Sequence, residues 1–268
     1  MELRPIKPEA LEAWRRKYRG QLGLPVIPDF HEAWCRMGQA YQVEEMGHSL
    51  GYAILTQETF LPAESPLLPE FYLDVGPAKY ARQLLVEIID RLKPRQVMGR
   101  TDDPSGFPLL LDLRLPNQAA SALYLLDREP DWVEDAQTRI VESRLEDAQD
   151  LLSIYSSVAP EDGGIPDEMA LMKSLALWRH YRLQAGREIL AVAYVVPQTD
   201  RYVTVSPIVV AQARGKGYGR YLLAYVARRE MAAGKAFVAA ANADNEAGRG
   251  LLESLGARLA AHCMLFRP

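Results

Sequence analysis

The chain has 268 residues, a net charge of −4 and a pI near 5.7, with 49% hydrophobic and 25% charged residues. This length allows one large domain or two domains of ordinary size. The composition is that of a globular protein, and the mild negative charge argues against a broad nucleic-acid-binding surface. No apolar run approaches the ~18 residues that a membrane span requires. We therefore expect neither a nucleic-acid nor a membrane partner.

The N-terminus and the cysteines bear on the compartment. Residues Met1–Lys7 have neither the apolar segment nor the cleavage pattern of a secretion signal, so we expect a cytoplasmic location. Cys35 and Cys263 are the only cysteines, too few and too far apart in sequence to indicate a disulfide framework or a zinc site. We expect packed thiols and no metal.

The first half of the chain predicts a regular series of strands and helices. Leu11, Trp14 and Tyr18 recur at helical spacing, and Asp29 is suited to cap a second helix. The predicted elements are a strand at 2–5, helices at 8–18 and 29–37, strands at 40–45, 49–57 and 70–75, a helix at 78–92, and strands at 96–100 and 119–127.

The second half predicts nearly the same series again. It begins with a strand at 138–144, and it continues with helices at 146–156 and 167–175, strands at 180–184, 188–196 and 202–210, a helix at 217–233, a strand at 235–240 and a helix at 246–255. Because the order repeats, we predict a tandem arrangement, with one unrelated N-terminal domain as the alternative. Charge and proline at 128–131 predict the linker, so the domains are 1–130 and 131–268.

A glycine-rich, basic turn joins the strand ending at residue 210 to the helix that follows. It contains three alternating glycines and three cations, and free backbone N–H groups converge there with the positive end of the helix dipole. Glycine lets the backbone approach a phosphate closely. The turn predicts a pyrophosphate site formed by Arg214, Gly215, Lys216, Gly217, Tyr218, Gly219 and Arg220.

The spacing of this turn excludes two common phosphate loops. A Walker loop needs Lys-Ser/Thr after its second glycine, but Arg220 and Tyr221 follow Gly219, so no hydroxyl is placed to hold Mg²⁺. A dinucleotide loop needs Gly-x-Gly-x-x-Gly, which the alternating glycines do not provide. The remaining pattern is Arg-x-x-Gly-x-Gly, filled by Arg214, Gly217 and Gly219. It resembles the acetyl-coenzyme A loop of the GCN5-related N-acetyltransferase (GNAT) superfamily.

The resemblance extends over about the last half of the chain, from residue 138 to 266. The strand at 235–240 is followed by Asn242 and Asn245, and Gly256 stops the next helix, in the order typical of the superfamily. The resemblance implies an α/β fold (an α+β mixed sheet) with two tandem GNAT-like domains. Each domain would be a central mixed, mostly antiparallel sheet flanked by helices.

The first domain departs from the superfamily at the corresponding loop. Residues 75–81 contain one glycine, Gly76, and Pro77 removes an N–H donor. We therefore expect residues 1–130 to be a degenerate copy without the phosphate loop, and residues 131–268 to bind acetyl-coenzyme A.

The resemblance also implies how the pantetheine arm binds. In the superfamily the arm bonds to the exposed backbone of a strand that opens before the loop, and Pro207 is tolerated at such a bulge or edge. Asn242 is expected to face the arm from the opposite strand. The alternative is that it ends the strand and makes its hydrogen bonds within the protein. Outside the turn, the predicted cofactor-binding residues are Ile208, Val209, Val210, Asn242 and Asn245.

The catalytic residues depart from the superfamily. The reaction is direct attack by an amine, but Leu252 and Ala257 replace two usual aromatics, and no carboxylate occurs between residues 201 and 214. We predict Ser206, as partner of a water relay, and Tyr194 as the catalytic residues. Further candidates are Glu161, Asp162 and Glu168, while His180 and His262 are expected to be structural.

The predicted function is transfer of an acetyl group from acetyl-coenzyme A to an amine of a small molecule or peptide. The alternative is a non-catalytic acyl-coenzyme A sensor or scaffold, which the missing aromatic at Leu252 motivates. The acidic loop at 160–168 is either a steering surface for a cationic acceptor or a solvated turn with Asp167 as helix cap. The acceptor and the oligomeric state, monomer or homodimer, stay open.

Overall fold

The computed structural model describes residues 1–57, 66–158, 164–165 and 167–268, without the side chains of residues 29, 30 and 33. The chain forms two compact units. The first unit contains residues 1–121 and 261–268, and the second contains residues 122–260. The predicted division lay after residue 130, whereas the units divide after residue 121 and the last residues of the chain join the first unit.

The first unit has a mixed sheet with helices. Strands β1 to β4 are antiparallel neighbours, β4 is parallel to β5, and β12 is antiparallel to β5. The strand order is β1-β2-β3-β4-β5-β12. The elements are β1 (Glu2–Ile6), a 3-10 turn (Pro8–Leu11), α1 (Glu12–Gln21), α2 (Asp29–Met37), β2 (Gln39–Glu45), β3 (His48–Thr56), β4 (Leu67–Leu73), α3 (Ala78–Leu92), β5 (Gln96–Arg100), α4 (Gly106–Asp112), the start of β6 (Asn117–Leu126) and most of β12 (Arg258–Phe266).

The last strand of the chain completes the sheet of the first unit. Cys263 lies opposite Arg100, and Phe266 lies opposite Val97, where it is fully buried. Gly99 permits this packing, because a Cβ atom there would lie 2.5 Å from Leu110 Cδ1 and 3.2 Å from Phe266 Cε2. This pairing joins the two ends of the chain in one unit, which explains why the division by sequence pattern did not include it.

The second unit repeats the same plan. Strands β7 to β10 are antiparallel neighbours, and β10 is parallel to β11. The strand order is β6-β11-β10-β9-β8-β7. The elements after β6 are β7 (Arg139–Ser143), a 3-10 turn (Leu145–Asp147), α5 (Ala148–Tyr155), α6 (Glu168–Leu177), β8 (Arg179–Ala185), β9 (Glu188–Pro197), β10 (Tyr202–Val209), a 3-10 turn (Ala211–Ala213), α7 (Tyr218–Ala232), β11 (Ala236–Asn242) and α8 (Glu246–Ser254).

Both faces of the second sheet are buried. Val203 and Val205 of β10 pack in one cluster with α7, and Ile208 packs in another with α5 and α6. Alternate residues of a strand point to opposite faces, so β10 needs apolar residues on both. This arrangement holds the end of β10 rigidly beside the turn that precedes α7.

The observed elements follow the predicted order. Strand β4 begins at Leu67 and not at Glu70, and the helix predicted at 8–18 is a 3-10 turn followed by α1, which extends to Gln21. Helix α4 and strand β12 were not predicted. No helix among the described residues has the length and apolar character needed to cross a bilayer.

Candidate functional site

Strands β10 and β11 separate partway along their length. Their parallel pairing runs from Tyr202 opposite Ala236 to Thr204 opposite Val238, although both strands continue. On its other side β10 stays in unbroken register with β9 through Val209. Pro207 therefore lies on an open edge and not at a bulge, which is where a residue without an N–H is tolerated. The opening exposes backbone groups of β10 beyond Thr204.

A groove with a volume of about 640 Å³ lies in the second unit at the end of β10. It is bordered by the end of β10, the glycine turn, the start of α7 and one face of α8. No Asp or Glu is among its described lining residues, so an anion meets no like charge there. The lining residues are Val158, Pro207, Ile208, Val209, Ala213, Arg214, Gly215, Gly217, Tyr218, Gly219, Arg220, Asn245, Ala247, Gly248, Leu251 and Ser254.

The glycine turn presents a run of free amides. Gly215 and Gly217 have φ angles of +75° and +84°, in the left-handed region that glycine adopts without strain, and Gly217 is the N-cap of α7. The backbone N–H groups of residues 215–220 donate to no acceptor in the described part of the chain. Free amides of this kind, together with the positive end of a helix dipole, favour negatively charged ligands.

Gly219 has a second reason to be glycine. A Cβ atom at this position would lie 3.0 Å from Val209 Cγ2 and 3.3 Å from Leu251 Cδ2. The first turn of α7 therefore packs closely against both β10 and α8. The turn holds its amides in place because the helix behind it is tightly packed.

Two arginines are held at the groove by backbone carbonyls. Arg214 Nε donates to Val209 O at 3.2 Å, and Arg220 Nε donates to Ser254 O at 3.3 Å. Each bond uses one N–H of the guanidinium and leaves the remaining donors of the group available. The two side chains thus bring positive charge to the lining of the groove.

Nine of the twelve predicted cofactor-binding residues line the groove, and three do not. Lys216 lines a neighbouring hollow with Trp132 and Tyr221. Val210 uses both backbone groups, since its N–H donates to Leu190 O at 3.1 Å and its carbonyl accepts from Ala213 N at 2.9 Å. Asn242 ends β11 and is not among the lining residues.

Asn245 has a structural role that the sequence did not reveal. Its Oδ1 accepts a hydrogen bond from Gly248 N at 2.8 Å, so it caps α8 while it lines the groove. The face of α8 formed by Ala247, Leu251 and Ser254 also lines the groove and was not predicted. Their spacing of four and three residues is the helical period that would have indicated one common face.

The two predicted catalytic residues are cross-strand neighbours. Ser206 on β10 lies directly opposite Tyr194 on β9, so both side chains share one face of the sheet. Tyr194 is 6% exposed and lies parallel to Trp178, with ring centroids 5.7 Å apart and an interplanar angle of 14°. Neither residue is among those that line the groove, although their neighbour Pro207 is.

His180 continues this row on β8, opposite Tyr194. Its Nδ1 is 2.9 Å from Tyr155 Oη and its Nε2 is 2.9 Å from Ser174 Oγ, so both ring nitrogens have partners. Burial lowers the pKa of His180 to about 4, outweighing the hydrogen bond at Ser174 that raises it. The imidazole is therefore neutral near pH 7 and orients the side chains around Tyr194.

The other candidates lie apart from these residues or outside the description. Glu168 is exposed in the first turn of α6, and Glu161 and Asp162 lie outside the described residues. His262 belongs to β12 in the first unit. Leu252 is 3% exposed and packs in the core with α7. Asp167 caps α6, its Oδ1 accepting from Ala170 N at 2.8 Å.

Comparison with known proteins identifies the fold. A family model described as FR47-like protein matches residues 204–265, and no curated protein matches the chain. A GNAT-family acetyltransferase from Colwellia psychrerythraea has a TM-score of 0.84 at 13% identity and covers 100% of this chain and 99% of its own. The predicted mixed α/β fold and the predicted resemblance to the GNAT superfamily are confirmed.

Two further structures are similar over the whole chain. A tandem GNAT protein from the clavulanic acid biosynthesis pathway has a TM-score of 0.64 at 15% identity, with coverage of 100% of this chain and 98% of that chain. A GCN5-related N-acetyltransferase from Sphaerobacter thermophilus has a TM-score of 0.61 at 15% identity, with coverage of 100% and 95%. At these identities the likeness is one of fold.

Proposed function

We propose that this chain, which has the GNAT fold, transfers an acetyl group from acetyl-coenzyme A to an amine of a small molecule or peptide. One observation carries the proposal. The six consecutive amides of residues 215–220 have no acceptor among the residues that the structure describes, and they lie at one end of a groove that follows the open edge of β10.

The shape and chemistry of the groove support coenzyme A over a simpler anion. The amides of the glycine turn, with Arg214 and Arg220, suit a diphosphate. Beyond the turn, the edge of β10 that is not paired with β11 suits a ligand arm that carries its own amides, because such an arm bonds like an added strand. A thiol-bearing nucleotide with a diphosphate and an amide-containing arm has both features.

The acetyl transfer itself breaks one bond and forms one. The amine nitrogen forms a bond to the thioester carbon, the carbon–sulfur bond breaks, the nitrogen loses a proton and the thiolate gains one. We assign Ser206 to the proton transfer through water, since a hydroxyl both donates and accepts. Tyr194, buried between Trp178 and His180, is assigned as the residue that positions Ser206.

The second candidate function is a non-catalytic acyl-coenzyme A sensor. It is favoured by Leu252, which is buried in the core where many superfamily members carry a tyrosine. No phenol from that position protonates the leaving thiolate. Binding of acetyl-coenzyme A without turnover is the expected behaviour of such a sensor.

Thiol release from acetyl-coenzyme A with a panel of amines distinguishes these functions. Steady release with at least one amine is expected for the enzyme, and Ser206→Ala is expected to lower kcat about tenfold, as befits a proton-transfer residue that acts through water. Ser254→Ala is the matched control, because it removes the hydroxyl of a residue that lines the groove, whereas Ser206 lies beside it. Tight binding without turnover across the panel would favour the sensor, and absence of binding would contradict both functions.

A further inference from the structure

Three side chains that commonly bind metals meet in the interior of the first unit. His31, Cys35 and Glu70 are each 1% exposed. One potential ligand atom from each lies within 4.8 Å of the others. The set offers an imidazole nitrogen, a thiolate sulfur and a carboxylate oxygen. We call these three residues the His31–Cys35–Glu70 cluster.

The positions of the three residues follow from their elements. His31 and Cys35 are four residues apart on α2, so they occupy one face of the helix on successive turns. Glu70 lies on β4, a strand whose residues are all buried. The helix therefore supplies two donors and the strand supplies the third. Cysteine count and spacing alone could not indicate this arrangement, because the donors come from separate elements.

His31 is the residue that points to a missing ligand. Among the described residues, its Nδ1 is buried without a hydrogen-bond partner. Its Nε2 lies 3.4 Å from Glu70 Oε2, within ion-pair distance of that carboxylate. A buried polar nitrogen without a partner costs about 1–3 kcal/mol, so native structures rarely retain one. A metal ion bound to this imidazole would satisfy it.

Glu70 is held in one orientation by neighbouring donors. Its Oε1 accepts from Arg15 Nε at 2.6 Å and from Tyr52 Oη at 2.8 Å. Its Oε2 accepts from Arg15 Nη2 at 3.1 Å and faces His31. Carboxylates that ligate metals are oriented by hydrogen bonds of this kind.

The charges around the cluster also balance with a divalent ion. Arg15 has a second anionic partner in Glu32, with Nη2 and Oε2 2.7 Å apart. Glu32 is also paired with Arg19 and Arg36, with N–O distances of 2.8 Å and 3.2 Å, so it does not balance the ion. The two positive charges of a dication are matched by ionised Cys35 and Glu70. A buried site without net charge avoids the large free-energy cost of an unpaired buried ion.

We propose that His31, Cys35 and Glu70 bind a divalent transition-metal ion, Zn²⁺ by the character of the donors. Mixed nitrogen, sulfur and oxygen ligands suit Zn²⁺, whereas Mg²⁺ and Ca²⁺ require oxygen ligands. The ion would connect α2 to β4. It replaces the expectation of packed thiols without metal at Cys35.

Metal content and Co²⁺ spectroscopy of the full, tag-free chain test the proposal. We expect about one Zn²⁺ per chain, and with Co²⁺ as probe a thiolate-to-metal charge-transfer band that Cys35→Ser abolishes. His31→Asn is expected to weaken Co²⁺ binding at least tenfold. Cys263→Ser is the matched control, because Cys263 is also fully buried but has no part in the cluster.

Thermal unfolding gives a second measurement that does not require the variants to bind metal. A chelator is expected to lower the Tm of the wild type and of Cys263→Ser. Two results would overturn the proposal: wild-type protein that shows no charge-transfer band with Co²⁺, or equal metal content in a His31→Asn, Cys35→Ser double variant. The first result needs only the wild-type chain, so the test holds even if a variant does not fold.

Discussion

Helices α3 and α7 have the same length, 15 residues, and the same place in the order of elements, but they begin differently. The strand before α3, β4, pairs with the parallel strand β5 over two residue pairs, and the strand before α7, β10, pairs with the parallel strand β11 over three. Before α7, Gly215 and Gly217 adopt positive φ angles and cations border the groove. The backbone plan therefore supplies a helix start in both units, and the loop residues decide whether it binds an anion.

The start of α3 offers fewer backbone donors than the start of α7. Pro77, its N-cap, has no N–H, and its carbonyl accepts from Tyr80 N at 2.9 Å and Ala81 N at 3.1 Å. Asp74 lies just before the helix and pairs with Lys17. Gly76 is not among the glycines with a positive φ angle, so this turn lacks the backbone conformation of residues 215–217. This difference favours the expectation that the second unit binds the cofactor.

A second contrast appears when the sheets are aligned by strand register. Glu70 on β4 lies opposite Ile54, as Ser206 on β10 lies opposite Tyr194. No carboxylate is present at Ser206, whereas the equivalent position of the first unit carries one. There it is bound by Arg15 and Tyr52 and is 1% exposed.

The largest predicted effect concerns this pair of equivalent positions. Glu70→Gln leaves Arg15 buried with one carboxylate fewer, and breaking a buried ion pair typically costs about 3–5 kcal/mol. Ser206→Ala removes a half-buried hydroxyl and should cost less than about 1 kcal/mol. Urea unfolding with a chelator present measures the free energy of unfolding of both variants. Equal losses of stability would contradict the predicted difference between the two positions.

The next prediction concerns the effect of pH on His180, which lies beside Tyr194 and Ser206 on the second sheet. The pKa of His180 is about 4 because the ring is buried, against about 6.5 in the unfolded chain, which therefore binds the proton more tightly. The resulting stability is fully present above about pH 6.5 and is lost as the pH falls towards 4. The loss is about 3 kcal/mol, since each pH unit contributes about 1.4 kcal/mol.

Thermal or urea unfolding between pH 7 and 4 measures this loss. The His180→Gln variant keeps hydrogen-bonding capacity but does not titrate, so its stability should fall less steeply. The equivalent position of the first sheet is Ala40, opposite Ile54, and supplies no such titration. A slope unchanged in His180→Gln would show that other groups cause the acid sensitivity.

A third prediction tests the anion site directly. Gly219→Asp places a carboxylate at the start of α7 and should weaken coenzyme A binding more than tenfold, or about 1.4 kcal/mol. Gly219→Ala introduces the same close contact with Val209 without the charge, so the difference between the variants isolates the electrostatic part. Calorimetry measures both affinities.

Gly76→Asp provides the comparison for the first unit. Gly76 lies before α3 with open space around it, so the substitution should leave coenzyme A affinity unchanged. A loss as large as that of Gly219→Asp would mean that the first unit also binds the cofactor.

Local sequence signals explain most of the fold and part of the site. The predicted helix at 217–233 and the observed α7, Tyr218–Ala232, differ by one residue at each end. The start of β4 was predicted too late because a proline usually marks the end of a strand, whereas Pro69 lies within this fully buried strand. Helix α4 is only seven residues long and contains Pro108, so its helical pattern is weak.

The features that sequence could not provide depend on contacts distant in the chain. The pairing of β12 with β5 joins residues far apart in sequence, such as Cys263 and Arg100. The glycines and cations of the turn were visible because they are consecutive. The face of α8 that completes the groove and the His31–Cys35–Glu70 cluster bring together separate elements, which no local pattern specifies.

The smallest predicted effects are those of the two groove arginines. Arg214→Gln and Arg220→Gln should each weaken coenzyme A binding about threefold, or about 0.6 kcal/mol, because exposed charges are screened by solvent. The difference from wild type should shrink as salt is raised, since screening acts on the charge and not on the amides. Arg82→Gln on α3, where Arg82 pairs with Asp112 at 2.9 Å, is the matched control and should change nothing. If the arginine variants lost affinity equally at all salt concentrations, their contribution would be the geometry of the turn, through the bonds to Val209 and Ser254, and not the charge.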